Sequence, residues 1–225
     1  KNIKNYGNLK FAKLKTDYNI ELNSNILSKI ENRKTWCAAS THPTEEIFCA
    51  KTHTMLKKKY KNILTIIIPR HINRSEKIIN DLKKENLKVL LYENFNQIND
   101  DIDILLINTY GEALKFYNIS KCVFLGKSLI ESLRKDSGQN PIEAARLGCK
   151  IFHGPNVSNF SEIYGFLKSL GISKKITSPE ELSQSLVEEL KENKVKNEDT
   201  LKKIENYGSD TLNNVIREIK IYISN

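Results

Sequence analysis

From Trp36 onward, short apolar runs alternate with segments of helical spacing, and that alternation leaves few folds open. Residues 36–40 read as a strand, and residues 44–59 as an amphipathic helix started by Thr44 with Glu45 and Glu46 in its first turn. Leu64-Thr65-Ile66-Ile67-Ile68 is a continuous β-branched run closed by Pro69. Such a run belongs to a parallel strand covered on both faces. A helix near residues 73–86 follows, then strands at 88–92 and 102–107, a short helix after Gly111 and a strand at 122–125. Beyond them come a helix over 159–170, a short strand near 174–176, a helix capped by Ser178 with Pro179 in its first turn, and a last helix over 197–222. Strands joined by crossover helices over most of a chain predict an α/β, Rossmann-like, doubly wound parallel sheet. Ligands of such sheets sit beyond the carboxyl ends of the strands. The segments to inspect are therefore 40–46, 69–73, 108–112, 126–130 and 137–143, which carry polar or Gly residues that a plain turn does not require.

Residues 1–35 do not fit the alternation. They hold a turn at Gly7-Asn8-Leu9-Lys10-Phe11, a scattered polar stretch and a helical pattern at 20–30, and read as a connecting segment. Residues 36–225 read as the α/β domain with its terminal helix. The chain has 225 residues, enough for one sizeable core or two small ones. No stretch approaches the roughly 20 apolar residues of a membrane span. The net charge is +9, much of it on helix faces such as Lys57-Lys58-Lys59 and residues 191–203. Such runs are solvated surface or an attraction to an anionic partner, nucleic acid or a phosphate-bearing membrane. Cys37, Cys49, Cys122 and Cys149 form no C-x-x-C pair and read as buried thiols; the four histidines show no metal spacing.

The richest stretch is Ser137-Gly138-Gln139-Asn140-Pro141-Ile142-Glu143-Ala144-Ala145-Arg146-Leu147-Gly148. It reads as a loop opening a helix, with Asn140 at the N-cap, Pro141 in the first turn and Gly148 ending it. Glu143 then sits where backbone N–H groups are unpaired. It is a capping carboxylate or, as in other nucleotide-binding sheets, an acceptor for both hydroxyls of a ribose.

The order Gly7-Asn8-Leu9-Lys10-Phe11, Ser40-Thr41-His42-x-x-Glu45-Glu46, Pro69-Arg70-His71, Asn108-Thr109-Tyr110-Gly111-Glu112, Gly126-Lys127-Ser128-Leu129, Asn140-Pro141-Ile142-Glu143, then Gly154-Pro155-Asn156 and Asn159-Phe160, resembles the 3-deoxy-D-manno-octulosonic acid (Kdo) transferases. The resemblance covers essentially the whole chain. It implies the C-terminal, donor-binding domain of a GT-B glycosyltransferase that moves Kdo from CMP-Kdo to the lipid A precursor at the cytoplasmic face of the bacterial inner membrane. The catalytic base, the acceptor site and the membrane anchor are implied for an N-terminal half, so no catalytic residue is expected here and the chain alone should not turn over. No metal or cofactor is implied. The implied partners are CMP-Kdo, the lipid A precursor through the other half, and an anionic membrane surface, with no nucleic acid.

By the same resemblance, Pro69 and Arg70 match a turn that contacts CMP, where a planar guanidinium can pair with phosphate or stack on a base. Tyr110, Gly111 and Glu112 match a second nucleotide-contacting turn. Asn140, Pro141, Ile142 and Glu143 match a third, with Glu143 as the ribose ligand. Ser128 is implied to lie on a loop facing the sugar or phosphate, and His42, Glu45 and Glu46 to face the interdomain cleft. The chain departs from the family at Lys127 and Ser137, where Gly is usual, and at Gln139, where His is usual. A side chain at Lys127 either crowds the site or adds a cation, and Gln139 cannot titrate near neutrality.

Two other readings remain. One is a GT-B donor domain, or an epimerase of that architecture, for another nucleotide sugar. The other is a basic α/β nucleic-acid module, which would want cations interleaved with exposed aromatics. A dehydrogenase lacks its G-x-G-x-x-G after the first strand.

Overall fold

The computed structural model describes residues 9–11 and 20–223. The chain divides into two compact units, residues 19–195 and a smaller unit of residues 1–18 with 196–225. The boundary expected at residue 35 is therefore not where the contacts divide. Ile26 and Ile30 of helix α1 (Ser24–Ile30) are buried, and Arg33 donates to the carbonyls of Asn62, Ile63, Asn99 and Ile102, which ties this stretch to the sheet. Gly7 and Asn8 lie outside the described residues.

The larger unit is built on seven parallel strands: β1 (Lys34–Thr41), β2 (Ile63–Pro69), β3 (Val89–Leu91), β4 (Ile104–Leu106), β5 (Cys122–Leu125), β6 (Lys150–His153) and β7 (Ser173–Lys175). Their spatial order is β3-β4-β2-β1-β5-β6-β7. The chain builds one side of the sheet first and then crosses to the other, so the direction of winding reverses between β1 and β5. A doubly wound sheet opens its ligand crevice at that reversal.

The crossovers are α2 (Glu45–Lys59), α3 (Ser75–Lys84), α4 (Ala113–Ile119), α5 (Ile142–Arg146) and α6 (Ser161–Ser169), and α7 (Pro179–Glu189) follows the last strand. Alternate strand residues explain the two-sided burial. Trp36, Ala38, Ile63, Ile67, Ile104, Leu106, Cys122, Phe124 and Phe152 share a core with Cys49 and Leu56 of α2, Ile78 and Leu82 of α3, and Leu182 and Leu186 of α7. The intervening residues Cys37, Leu64, Ile66, Leu105, Val123 and Ile151 are buried on the opposite face. All four cysteines are free and buried. The smaller unit contains α8 (Glu198–Ile223) and the turn at Leu9–Phe11, with the Phe11 and Tyr207 rings 4.3 Å apart. Among the described residues no helix is long and apolar enough to cross a membrane.

Helix starts follow the sequence unevenly. Ser178 caps α7, its hydroxyl accepting from Glu181 N at 3.2 Å. Thr44 precedes α2 as expected but makes no side-chain cap, because its φ of 82° places it in the left-handed region. At α5 the expected N-cap shifts by one. Pro141 takes the cap position, and Asn140 Oδ1 accepts from Ile142 N at 3.1 Å. Proline's fixed φ already suits the helix, so the asparagine cap moves outward. Gly148 closes the stretch with φ 77°.

Candidate functional site

At the β1/β5 reversal the loop after β1 meets the loop after β5, and one carboxylate joins them. Glu45 is fully buried. Its Oε2 accepts from His42 N at 3.0 Å and Lys127 N at 2.8 Å, and its Oε1 from Ser128 N and Leu129 N at 3.0 Å each. Gly126 makes that approach possible, since a Cβ there would lie 2.5 Å from the Ser40 carbonyl oxygen and 2.8 Å from Thr41 Cα. Glu46 is also buried and forms a two-pronged pair with Arg74, at 3.0 and 3.1 Å. Arg74 reaches it from the turn before α3. His42 is buried too, with Nδ1 donating to the Ser40 carbonyl at 3.1 Å and its ring 5.8 Å from His71, edge to face. Burial pushes the His42 pKa down.

These three residues were expected to face the interdomain cleft; within this unit their side chains are buried and held by loop amides, Arg74 and the Ser40 carbonyl. Ser128 differs in the same way. It is fully buried, donating to the Leu125 carbonyl at 2.6 Å and accepting from Gly154 N at 2.8 Å.

The turns expected to meet a nucleotide lie on the same carboxyl edge. Pro69 ends β2 opposite Thr41, and Arg70 N donates to the Thr41 carbonyl at 3.0 Å. The Arg70 side chain is exposed and has no partner among the described residues. After β4, Tyr110 is exposed and Gly111 adopts φ 86° with nothing within 4 Å of a would-be Cβ. Glycine is needed there for backbone conformation, and its surroundings are open. Glu112 accepts from the Tyr92 hydroxyl at 3.1 Å and pairs with Lys115 at 3.0 Å. Burial and this carboxylate raise the Tyr92 pKa to about 12.

Glu143 stands in the first turn of α5, exposed and without a partner among the described residues. Of the four acids expected in the site, Glu45, Glu46 and Glu112 are each engaged, and Glu143 alone has no partner among the described residues. Lys127 resolves one open question. Its ammonium turns to Asp136 at 3.0 Å, toward the short helical segment Glu131–Asp136, and its backbone keeps the glycine-like φ of 57°. Ser137 is buried, donating to the Arg134 carbonyl and accepting from Ser158 N at 3.1 Å. The Gln139 carbonyl accepts from the Tyr164 hydroxyl.

Two polar atoms on this edge escaped the sequence reading as ligand candidates. Thr41 Oγ1 and Asn108 Oδ1 are buried and unpaired among the described residues. Their signal was positional, a polar residue just where β1 and β4 end. A separate concavity of about 310 Å³ lies at the amino edge, lined by Leu27, Lys34, Ile119, Lys121, Leu190 and Lys194 among others. Lys121 and Lys194 there donate to carbonyls near the ends of α7 and α4, so their charge serves helix ends. Among the described residues no group of three or more His, Cys, Asp or Glu could hold a metal ion.

A seven-stranded, all-parallel, doubly wound sheet with exposed polar side chains on its carboxyl edge defines a Rossmann-like α/β domain. Among solved structures, the C-terminal CMP-Kdo binding domain of WaaA from Acinetobacter baumannii shares the fold, with a TM-score of 0.66 and 20% identity, covering 84% of this chain and 98% of that one. No family model matches the chain. Curated relatives do. The 3-deoxy-D-manno-octulosonic acid transferase of Haemophilus influenzae is 29% identical over 201 residues, 83% of this chain and 46% of that protein. The enzyme of the same name from Rickettsia prowazekii is 28% identical over 224 residues, 97% of this chain and 48% of that protein. The chain is thus a homologue of the Kdo transferases, and it spans about half the length of these relatives.

Proposed function

We propose that this chain is the donor-binding half of a Kdo transferase and that it holds CMP-Kdo at the carboxyl edge of its sheet. The observation that carries the reading is Glu143, an exposed carboxylate without a partner among the described residues, at the start of the helix after β5. Such a group can accept both ribose hydroxyls, and charge-assisted bonds of this kind are the strong ones. Arg70, equally free, would take the phosphate or stack on the cytosine, and the open backbone at Gly111 would let the nucleotide approach closely. Transfer to a lipid A precursor would need a second domain carrying the base and the acceptor site. The net charge of +9 suits an anionic inner leaflet, to which each basic residue near the surface contributes about 1 kcal/mol. Salt-sensitive sedimentation with anionic but not neutral vesicles checks that part.

Calorimetric titration of the chain with CMP, UMP and UDP tests the donor assignment. CMP should bind, weakly but in preference to the other two. Glu143→Ala should lose about 1.5–3 kcal/mol, tenfold or more in affinity, and Glu143→Gln less because it keeps an acceptor. Unchanged CMP affinity in a folded Glu143→Ala variant sinks the ribose assignment, and a preference for UDP points to a different nucleotide sugar.

A further inference from the structure

Lys127, Ser128 and Leu129 present three consecutive backbone N–H groups, with Lys127 in the left-handed region at φ 57°. Successive amides in such a turn make a concavity that favours an anion. At the reversal of a doubly wound sheet, that is where a ligand phosphate would be looked for. Here the concavity is filled from inside the protein, by the Glu45 carboxylate arriving from the opposite side of the crevice.

We propose that Glu45 is a positioning residue, an internal anion that shapes the β5 loop and through it the turn carrying Glu143. The inference rests on the donor-site reading above. The path is short and continuous. Glu45 holds the Lys127 amide, and the Lys127 carbonyl accepts from Gly138 N at 2.8 Å, which anchors the 137–143 turn. In parallel, Glu45 holds the Ser128 amide, while the Ser128 carbonyl accepts from Asn156 N at 2.9 Å and its hydroxyl from Gly154 N. Gly154 fits against this strut so closely that a Cβ would stand 2.2 Å from the Ser128 carbonyl oxygen. Among the described residues, three of the four non-glycine residues with positive φ, Ser40, Thr44 and Lys127, flank Glu45, and such conformations persist only where the surroundings over-determine them. A consequence follows for the donor. The loop amides are withdrawn from its phosphate, which is left to side chains on the rim, Arg70 foremost.

Hydrogen exchange of the Lys127, Ser128 and Leu129 amides, read by NMR alongside CMP titration, tests this. In the wild-type chain the three amides should exchange slowly although no backbone carbonyl is among their acceptors. Glu45→Gln keeps the volume but turns an NH₂ toward two amide donors. It should speed exchange at these amides and weaken CMP by about tenfold. Glu45→Ala removes a fragment the size of acetate. Added acetate, but not chloride at equal ionic strength, should restore amide protection and CMP affinity to Glu45→Ala and leave Glu45→Gln unchanged. Fast exchange in the wild type overturns the proposal, and decides it even if neither variant folds. So does full CMP affinity in a folded Glu45→Gln chain with exposed loop amides. If the amides behave as expected while the wild type binds no CMP, the clamp is supported and only the donor reading falls.

Discussion

His153 offers a clean test of how burial sets the response of this fold to acid. It ends β6 with its ring 4.2 Å from that of Tyr164, and its Nδ1 lies 2.7 Å from the Gly154 carbonyl oxygen. A carbonyl only accepts, so Nδ1 carries the proton of a neutral ring. Burial pushes the pKa down to about 4; the Gly154 contact opposes this, and Lys175 and Lys168 add to it. In the unfolded chain the same ring titrates near about 6.5. Between those values the unfolded state holds a proton the folded state lacks, so stability rises with pH through the window and falls as pH drops through it. Above about 6.5 both states are neutral and below about 4 both are charged, so the dependence is confined to that interval. The full effect is of the order of 3 kcal/mol, and about 2–3 kcal/mol of it should be lost by about pH 4.5.

The assay is urea unfolding at a series of pH values for the wild type and His153→Phe. Phenylalanine keeps a ring against Tyr164 and costs about 1 kcal/mol at every pH for the donor lost to Gly154. Its stability should fall less steeply with acid, by about 2–3 kcal/mol over the window. His42, whose burial lowers its pKa in the same direction, is present in both chains and cancels in the difference. Asp103 stays out of the window. Burial alone would raise its pKa, but hydrogen bonds from His53, Lys57 and the Lys88 amide outweigh that and hold it below the usual carboxylate range. Its stabilisation is present above about pH 4 and is lost only below it. Identical pH slopes in a folded His153→Phe chain and the wild type would refute the reasoning.

Arg70→Lys should weaken CMP binding measured by calorimetry, because a point charge cannot reproduce a planar fork; full affinity in the lysine variant would mean that Arg70 acts by charge alone. Gly126→Ala should cost about 2–4 kcal/mol in thermal unfolding, since its Cβ meets the backbone of Ser40 and Thr41, which cannot swing away. Gly165→Ala, within α6 and with nothing near its Cβ, should instead stabilise by about 0.5–1 kcal/mol, and equal effects at the two positions would contradict the packing described.

The strands were legible because their apolar runs are local. The run at 64–68 became β2 (Ile63–Pro69) within one residue at each end. The strands expected at 88–92 and 102–107 shortened to Val89–Leu91 and Ile104–Leu106, since β3 is an edge strand and Asp103 is drawn into its contacts with His53, Lys57 and the Lys88 amide. The division into units was not legible. Helical spacing over 197–222 says that a helix forms there and nothing about which part of the chain it packs with.

The sharper lesson lies in two carboxylates. Glu45 and Glu143 share one local pattern, an acid in the first turn of a helix following a loop at the carboxyl edge. Capping statistics treat them alike. Their fates part because α2 follows β1, the strand at which winding reverses, so the loop after β5 is carried over Glu45 and offers it three amides. Glu143 follows β5, its own turn hangs from the Lys127 carbonyl on that same loop, and among the described residues nothing pairs with its carboxylate. One acid is buried among loop amides, and the other is exposed. Strand order decides between them. It is a property of the whole sheet, so no reading of either motif alone could have assigned the roles.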